Sequence, residues 1–367
     1  MPTLVSTIAT AAGSVFSHFS SRFGSNAAMS LDPQPGLFGE STGVRAAVRA
    51  VAPDAALLAL GAAMPPLLRM GSSSWAFAGW QGLVWADPAD DTALARTGLP
   101  AYAQHPLLRT VSLDRSFYRP LPTAEYARLA QQVPADFRFV VKAASMVCDA
   151  TLREPGSGRA LQANPLFLDP AAALEQIWRP AIEGLGDRLG VLVFQLSPLP
   201  REWLAEPALF LARLGAMFDA LWAWRPAART GDSGLVAIEL RDPALLTPEL
   251  AALLAHHGVR YCVGLHDRMP PLDEQLPMLR ALWPGPLVVR WNLQRGYRYG
   301  AAKDAFAPFD KLLAPDPTTR TALAKLIAAT VRANQPVFVT VNNKAEGSAP
   351  LSVRALAVEI AGLLNAA

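Results

Sequence analysis

Between Leu67 and Val341 the chain alternates short apolar runs with longer amphipathic stretches. The runs are Leu67–Gly71, Leu108–Leu113, Phe137–Lys142, Gly190–Leu196, Leu235–Leu240, Val259–Leu265, Pro286–Trp291 and Pro336–Val341. Most are continuous, not alternating, the pattern of parallel strands covered on both faces. The intervals carry helix signals. Thr247-Pro248-Glu249 supplies an N-cap, a proline at the first helical position and an acid in the first turn, and Gly258 ends that helix. Leu323, Leu326, Ile327 and Val331 share one helical face, and Val353, Leu356, Ala357, Ile360 and Leu363 share another. Eight β-then-α units predict an α/β fold, a (β/α)8 TIM barrel, as one domain over 67–364. The alternative is a doubly wound open sheet. It would carry a glycine-rich phosphate fingerprint after the first strand, and Gly71-Ser72-Ser73-Ser74 lacks the second and third glycines.

Composition narrows the class without naming a reaction. Of 367 residues, 51% are hydrophobic and 17% charged, which supplies a large core and excludes a disordered polyelectrolyte. The net charge of +3 is too small to imply a nucleic-acid or membrane partner by itself. Cys148 and Cys262 are the only cysteines, too few for a disulfide scaffold or a four-cysteine zinc site, so a reduced, cytoplasmic setting is expected. The apolar stretch Ala55–Met64 is about half of what a membrane span needs.

Residues 1–66 read as a low-complexity extension and linker, flexible or disordered, with Met29 as an alternative start. Residues 1–31 are rich in Ser, Ala and Thr without acids, yet only Arg22 is basic, which fits neither a secretory signal nor an Arg-rich transit peptide. Within the linker, Gln34, Leu37 and Phe38 stand as in short peptides that dock on the bacterial replication sliding clamp. A plain spacer is the alternative.

In a TIM barrel, chemistry gathers where each strand ends. Those positions here form a polar ring. It comprises Ser72–Trp75 and Trp80, then Ser112, Asp114 and Tyr118, then Lys142, Gln195, Glu239 and Arg241, His266 and Asp267, Arg290, Trp291 and Asn292, and Asn342 and Asn343. Glu239 and Arg241, at i and i+2, face the same side of a strand. Two readings stand: an ion pair closing the mouth, or an anchor for an anionic ligand with Glu239 as general acid or base. Lys142 ends an apolar run, where burial lowers an amine's pKa and suits it to base or Schiff-base chemistry; neutralisation by Glu239 or Asp114 is the alternative. No cofactor is called for. A divalent metal would need Glu239, His266, Asp267 and Asp114 to converge, and no HxxE, HExxH or CxxC spacing supports it. A Gly-x-Ser-x-Gly elbow is absent. Cys262 reads as core, whereas Cys148 falls in the long loop after the third strand, where exposure is open to it and nothing supports reactivity.

Two connections are long. Residues 143–169 contain Arg153, Gly156-Ser157-Gly158 and Arg159; residues 292–316 contain Arg295-Gly296-Tyr297-Arg298-Tyr299. Such loops act as lids or binding loops. Arginines interleaved with tyrosines suit a sugar, or a base with its phosphate. Tyrosines packed on the barrel rim are the plain alternative.

The ordered motifs resemble the domain of unknown function 72 family, also called YecE-like or sugar-isomerase-related. They are Gly71-Ser-Ser-Ser-Trp75-x4-Trp80, Thr110–Tyr118 with Pro120, Phe137-x-Phe-x-Val-Lys142, Leu189-Gly-x-Leu-x-Phe-Gln195, Ala237-Ile-Glu239-x-Arg241 and Val339-x-Val-Asn342-Asn343-x3-Gly347. The resemblance runs from about Leu67 to Leu364 and implies a TIM barrel with a polar pocket at the strand ends, without a settled reaction. Family members commonly carry Glu and Asn where this chain has Ser112 and Asp114, Thr-His at Cys148-Asp149, and His at Asp242. Losing those groups opens the reading of a non-catalytic binding barrel.

Three functional readings follow. In the first, the barrel binds or processes a small polar, phosphorylated or sugar-like ligand by isomerase- or hydrolase-type chemistry. Glu239, Lys142 and Asp114 then carry the chemistry. Arg241, Arg290, Ser112, Gln195, Asn292, Asn342 and Asn343 hold the ligand, with Trp75, Trp80, Trp291 and Tyr118 as a stacking wall. In the second, the protein is recruited through Gln34–Phe38 and grips a nucleic-acid strand with Arg295 and Arg298. In the third, it binds a ligand without catalysis.

Overall fold

The computed structural model describes residues 47–154, 159–224 and 231–366. The candidate start Met29, the Gln34–Phe38 peptide and Gly156-Ser157-Gly158 lie outside them.

Each apolar run forms a strand. They are β1 (Leu68–Ser72), β2 (Leu108–Leu113), β3 (Arg138–Lys142), β6 (Leu189–Gln195), β7 (Leu235–Glu239), β8 (Arg260–Leu265), β9 (Leu287–Trp291) and β10 (Val337–Val341). They close into a parallel barrel in the order β1-β10-β9-β8-β7-β6-β3-β2. An antiparallel hairpin, β4 (Thr151–Arg153) and β5 (Ala160–Ala163), interrupts the connection from β3 to β6. Helices fill the other intervals. The one at Pro248–His257 begins as the sequence predicts: the Thr247 hydroxyl accepts from the Leu250 amide at 3.3 Å, and left-handed Gly258 closes it.

Successive side chains of each strand face opposite sides, which yields two cores. Val140, Val191, Val193, Ala237, Cys262, Val288 and Phe338 fill the barrel interior. Their neighbours, such as Phe139, Leu192, Ile238, Val289 and Val339, join the layer beneath the helices. Each such residue fully buried contributes roughly 1.5–3 kcal/mol. Gly71 is dictated by strand approach, since a Cβ there would lie 1.8 Å from the Thr110 carbonyl oxygen.

The N-terminal end of the barrel is closed by charge. Asp232 receives Arg69 at 2.5 and 3.0 Å and Arg138 at 3.1 Å. All three side chains are nearly shut from water, so the carboxylate offsets most of the desolvation of two guanidiniums.

Two expectations change here. First, residues 47–66 belong to the folded unit. The Val51 amide donates to Val84 O at 3.0 Å, and Asp54 caps the helix Ala55–Ala62 by accepting from Leu57 N at 2.6 Å. Sequence patterning missed this because the helix is apolar nearly all round and short. Second, the long connection after β9 contains a helix, Tyr299–Phe306, with its own small core of Leu293, Ala302, Phe306 and Phe309. Its return is strapped to the end of β10, where Glu346 Oε1 accepts from the Asp316 amide at 2.7 Å and also pairs with Arg320. Among the described residues no helix is long and apolar enough to cross a membrane.

Candidate functional site

The inward-facing positions turn polar at the C-terminal end of the barrel. Glu239 closes β7 with no exposure, Arg290 is 2% exposed on β9, and Arg241 is 7% exposed just beyond β7. Arg241 Nη1 donates to Glu239 Oε1 at 2.6 Å, Arg290 Nη1 to Glu239 Oε2 at 2.6 Å, and Asn292 Nδ2 to Oε1 at 3.0 Å. Gln195, at the end of β6, accepts through Oε1 from Arg241 Nη2 at 3.0 Å and from Arg290 Nη1 at 3.2 Å. Arg290 Nη2 reaches across to Asp114 Oδ1 at 2.8 Å, and the Ser112 hydroxyl donates to that same oxygen at 2.6 Å. One network therefore links β2, β6, β7 and β9.

Gly264 makes room for it. A Cβ there would stand 3.1 Å from both Arg241 Nη1 and Glu239 Oε1. Sequence reading overlooked this residue. The usable signal was its parity: Gly264 lies two residues after inward-facing Cys262, in a strand where glycine is otherwise unfavourable.

Lys142 completes the group. It is half-buried at the end of β3, with its ammonium 3.5 Å from the centre of the Phe117 ring. Burial pushes its pKa down to about 8, with Arg290 and Arg241 adding to the shift while Asp114 and Glu239 oppose it. Burial alone would raise the Glu239 pKa, but Arg241 and Arg290 outweigh it and hold the carboxyl at about 2. The same carboxylates push the Arg290 pKa above its ordinary value, against the effect of burial.

These values redistribute the roles expected from sequence. Glu239 has each oxygen occupied by a donor, and Arg241 and Arg290 hold its carboxyl below the ordinary carboxylate range, an arrangement that anchors the two arginines. Lys142 is the mouth cation whose pKa burial brings down towards neutrality, to about 8. Around the network, Lys142 Nζ, Gln195 Nε2, Asn292 Oδ1 and Asp114 Oδ2 make no hydrogen bond among the described residues, leaving two donors and two acceptors.

The tryptophans do not form a wall at the mouth. Trp75, Trp80 and Trp291 are at most 1% exposed. Trp291 follows inward-facing Arg290 and so points into the helix layer. Trp75 Nε1 donates to Leu94 O at 2.9 Å, and Trp80 Nε1 donates to Asn343 Oδ1 at 3.2 Å. Asn343 is thereby a buried brace, accepting also from the Ala349 amide at 2.8 Å. Asn342 donates to the Ser73 hydroxyl at 2.8 Å and accepts from the Lys344 amide at 2.9 Å, tying β10 to β1. Tyr118 is 67% exposed and packs edge-on against Phe117.

No three His, Cys, Asp or Glu side chains converge as a metal cage among the described residues. Glu239 and Asp114 are bridged by Arg290, and His266 pairs with Asp267 at 2.5 Å. Burial pushes the His266 pKa down to about 4, with Arg241 assisting and Asp267 opposing. On the connection after β9, Tyr297 packs against Phe306 with ring centres 5.0 Å apart. That ring serves the rim's own core.

A family model described as protein of unknown function DUF72 matches residues 69–365. The chain belongs to the DUF72 family. It is similar to a solved DUF72 family protein from Thermotoga maritima, at 17% identity and a TM-score of 0.51, over 81% of this chain and 99% of that one. A DUF72 family protein from Enterococcus faecalis matches at 18% identity and a TM-score of 0.49, over 81% and 95% of the two chains. Likeness at such identity is one of fold. Among curated proteins, none matches.

The positions that the family resemblance singles out are held within the structure. Cys148, whose loop position left its exposure open, is fully buried, and burial pushes its pKa up. Asp149 accepts from the Ser197 hydroxyl, joining the connection after β3 to that after β6, and burial pushes its pKa up as well. Asp242 accepts from the Leu199 amide at 2.8 Å. Of these positions, only Ser112 and Asp114 enter the network at the mouth.

Proposed function

We propose that the barrel mouth binds a small polar ligand carrying hydroxyl groups and an anionic group, of the sugar-acid or sugar-phosphate class, with Lys142 as the residue that exchanges a proton with it. The carrying observation is the set of Lys142 Nζ, Gln195 Nε2, Asn292 Oδ1 and Asp114 Oδ2. Their neighbours are fixed by the Glu239–Arg241–Arg290 network, and they themselves keep hydrogen-bonding capacity to spare.

The chemistry follows from the donor set. A cationic ammonium attracts an anionic group. The amide and carboxylate oxygens of Asn292 and Asp114 accept from hydroxyls. An amine with a pKa of about 8 holds its proton most of the time at neutral pH, yet releases it at modest cost, as acid–base work requires. Side chains already locked by ion pairs lose little entropy when a ligand arrives.

The test is a thermal-shift panel of aldohexoses, hexose 6-phosphates and uronic acids on the full chain. A ligand at about a hundred times its Kd stabilises by about 2.7 kcal/mol. The reading expects a hit among the charged members that disappears in Lys142→Met. A flat panel, or a hit untouched by Lys142→Met and by Asn292→Ala, would overturn it.

A further inference from the structure

A second group of arginines meets outside the barrel. Between the helices Asp91–Thr97 and Thr123–Ala130 lies a cleft of 280 Å³ whose walls include Arg96, Arg115, Glu125, Arg128, Gln131 and Gln132. Three guanidiniums face one carboxylate there. That carboxylate is already engaged, since Glu125 Oε1 accepts from Arg119 Nη2 at 3.0 Å. The cleft therefore holds an excess of positive charge.

Arg115 is the most telling of the three. Its side chain forms no hydrogen bond and no ion pair within 4.0 Å among the described residues, and its Nε is closed off from water without a partner. The guanidinium rests 5.8 Å from the centre of the Trp75 ring. Trp75 cannot yield, because it is 1% exposed and its Nε1 is bonded to Leu94 O at 2.9 Å. A guanidinium remains charged at any pH the fold tolerates. A half-buried cation beside two others is stabilised by an anion, and the fork geometry of arginine matches the oxygens of phosphate.

We propose that this cleft is a second anion site, separate from the mouth, which takes the phosphate group of a small phosphorylated molecule between Arg96, Arg115 and Arg128. Its volume lies at the lower end for small-molecule sites, enough for phosphate and a few further atoms. The turn Asp114–Phe117 delivers one residue to each place: Asp114 to Arg290 at the mouth, and Arg115 to the cleft.

Calorimetric titration with inorganic phosphate, in low-salt buffer otherwise free of phosphate, tests the assignment on the full chain. Binding is expected with a Kd of about 1 mM or tighter. Arg115→Gln is expected to weaken it about tenfold or more, the loss of one charge-assisted contact. Arg96→Gln, a half-exposed position, is expected to weaken it severalfold without threatening the fold. The component of binding that Arg115→Gln removes should persist in Lys142→Met, and added chloride salt should weaken it. Absence of binding, binding indifferent to both Arg96→Gln and Arg115→Gln, or binding lost in Lys142→Met alone would each overturn the proposal; the last would place phosphate in the mouth.

Discussion

Glu239 and Arg290 stand 51 positions apart in the chain and meet at 2.6 Å inside the barrel. Neither has more than 2% of its surface exposed. A buried carboxylate without a partner is costly, so the two arginines that hold Glu239 are conditions for its presence. Removing one leaves charge behind. Arg290→Met is expected to cost about 3–5 kcal/mol in urea unfolding. Adding Glu239→Gln to Arg290→Met should recover part of that loss, and the double-mutant cycle reports the coupling.

The same pair sets the response to acid. Arg241 and Arg290 hold Glu239 at about 2 against an ordinary value of 4.5, so the unfolded chain binds the proton more readily than the native one. Its contribution is therefore complete above pH 4.5 and falls away as pH drops towards 2. The magnitude is on the order of 3 kcal/mol. Stability measured from pH 5 downwards should fall less steeply in Glu239→Gln than in the native protein.

Lys142 runs in the opposite sense. Burial lowers its pKa to about 8 from 10.5, so below pH 8 the native state carries a charged, poorly solvated amine. That cost is relieved as pH rises from 8 to 10.5. Lys142→Met is expected to be more stable than the native protein at pH 7 by roughly 1–3 kcal/mol. The difference should shrink towards pH 10.5, read from unfolding midpoints at each pH. A residue that destabilises the fold and is nonetheless present fits a ligand-binding role.

Gly264 offers a steric test. Its missing Cβ leaves space that Arg241 and Glu239 occupy at 3.1 Å. Gly264→Ala should displace that pair and cost about 1–3 kcal/mol by overpacking. The reported quantity is again the unfolding midpoint, with Gly362→Ala as the control, since a Cβ at that surface position meets nothing within 4 Å.

Much of this was legible in the chain. The eight apolar runs fall on the eight barrel strands because parallel strands buried on both faces write a continuous signal. The ring of Asp114, Lys142, Gln195, Glu239, Arg241, Arg290 and Asn292 was legible for a related reason: charged and amide groups at the ends of such runs have few places to go but the barrel mouth. What failed was direction beyond the strands. Trp75 and Trp80 follow β1, where the period of two no longer applies, so their inward packing on Leu94 and Asn343 left no local trace. Trp291 was readable, since adjacency to Arg290 places it on the opposite face. Partner choice was readable only for Glu239 with Arg241, two residues apart on one strand face; the Arg69–Asp232–Arg138 clamp and the Glu239–Arg290 pair join distant residues and left no local trace.

The central claim concerns Lys142 as the titrating, ligand-facing group of the mouth, and it can be observed directly. The chain has Lys142, Lys303, Lys311, Lys325 and Lys344 as its lysines. With lysine labelled at 13Cε, an NMR titration in the presence and absence of the hexose 6-phosphates and uronic acids resolves Lys142 by its absence from the Lys142→Met spectrum. The account predicts a Lys142 signal that titrates near 8 and shifts when a panel member binds. A Lys142 signal that titrates at the ordinary 10.5 and is unmoved by every panel member would contradict it.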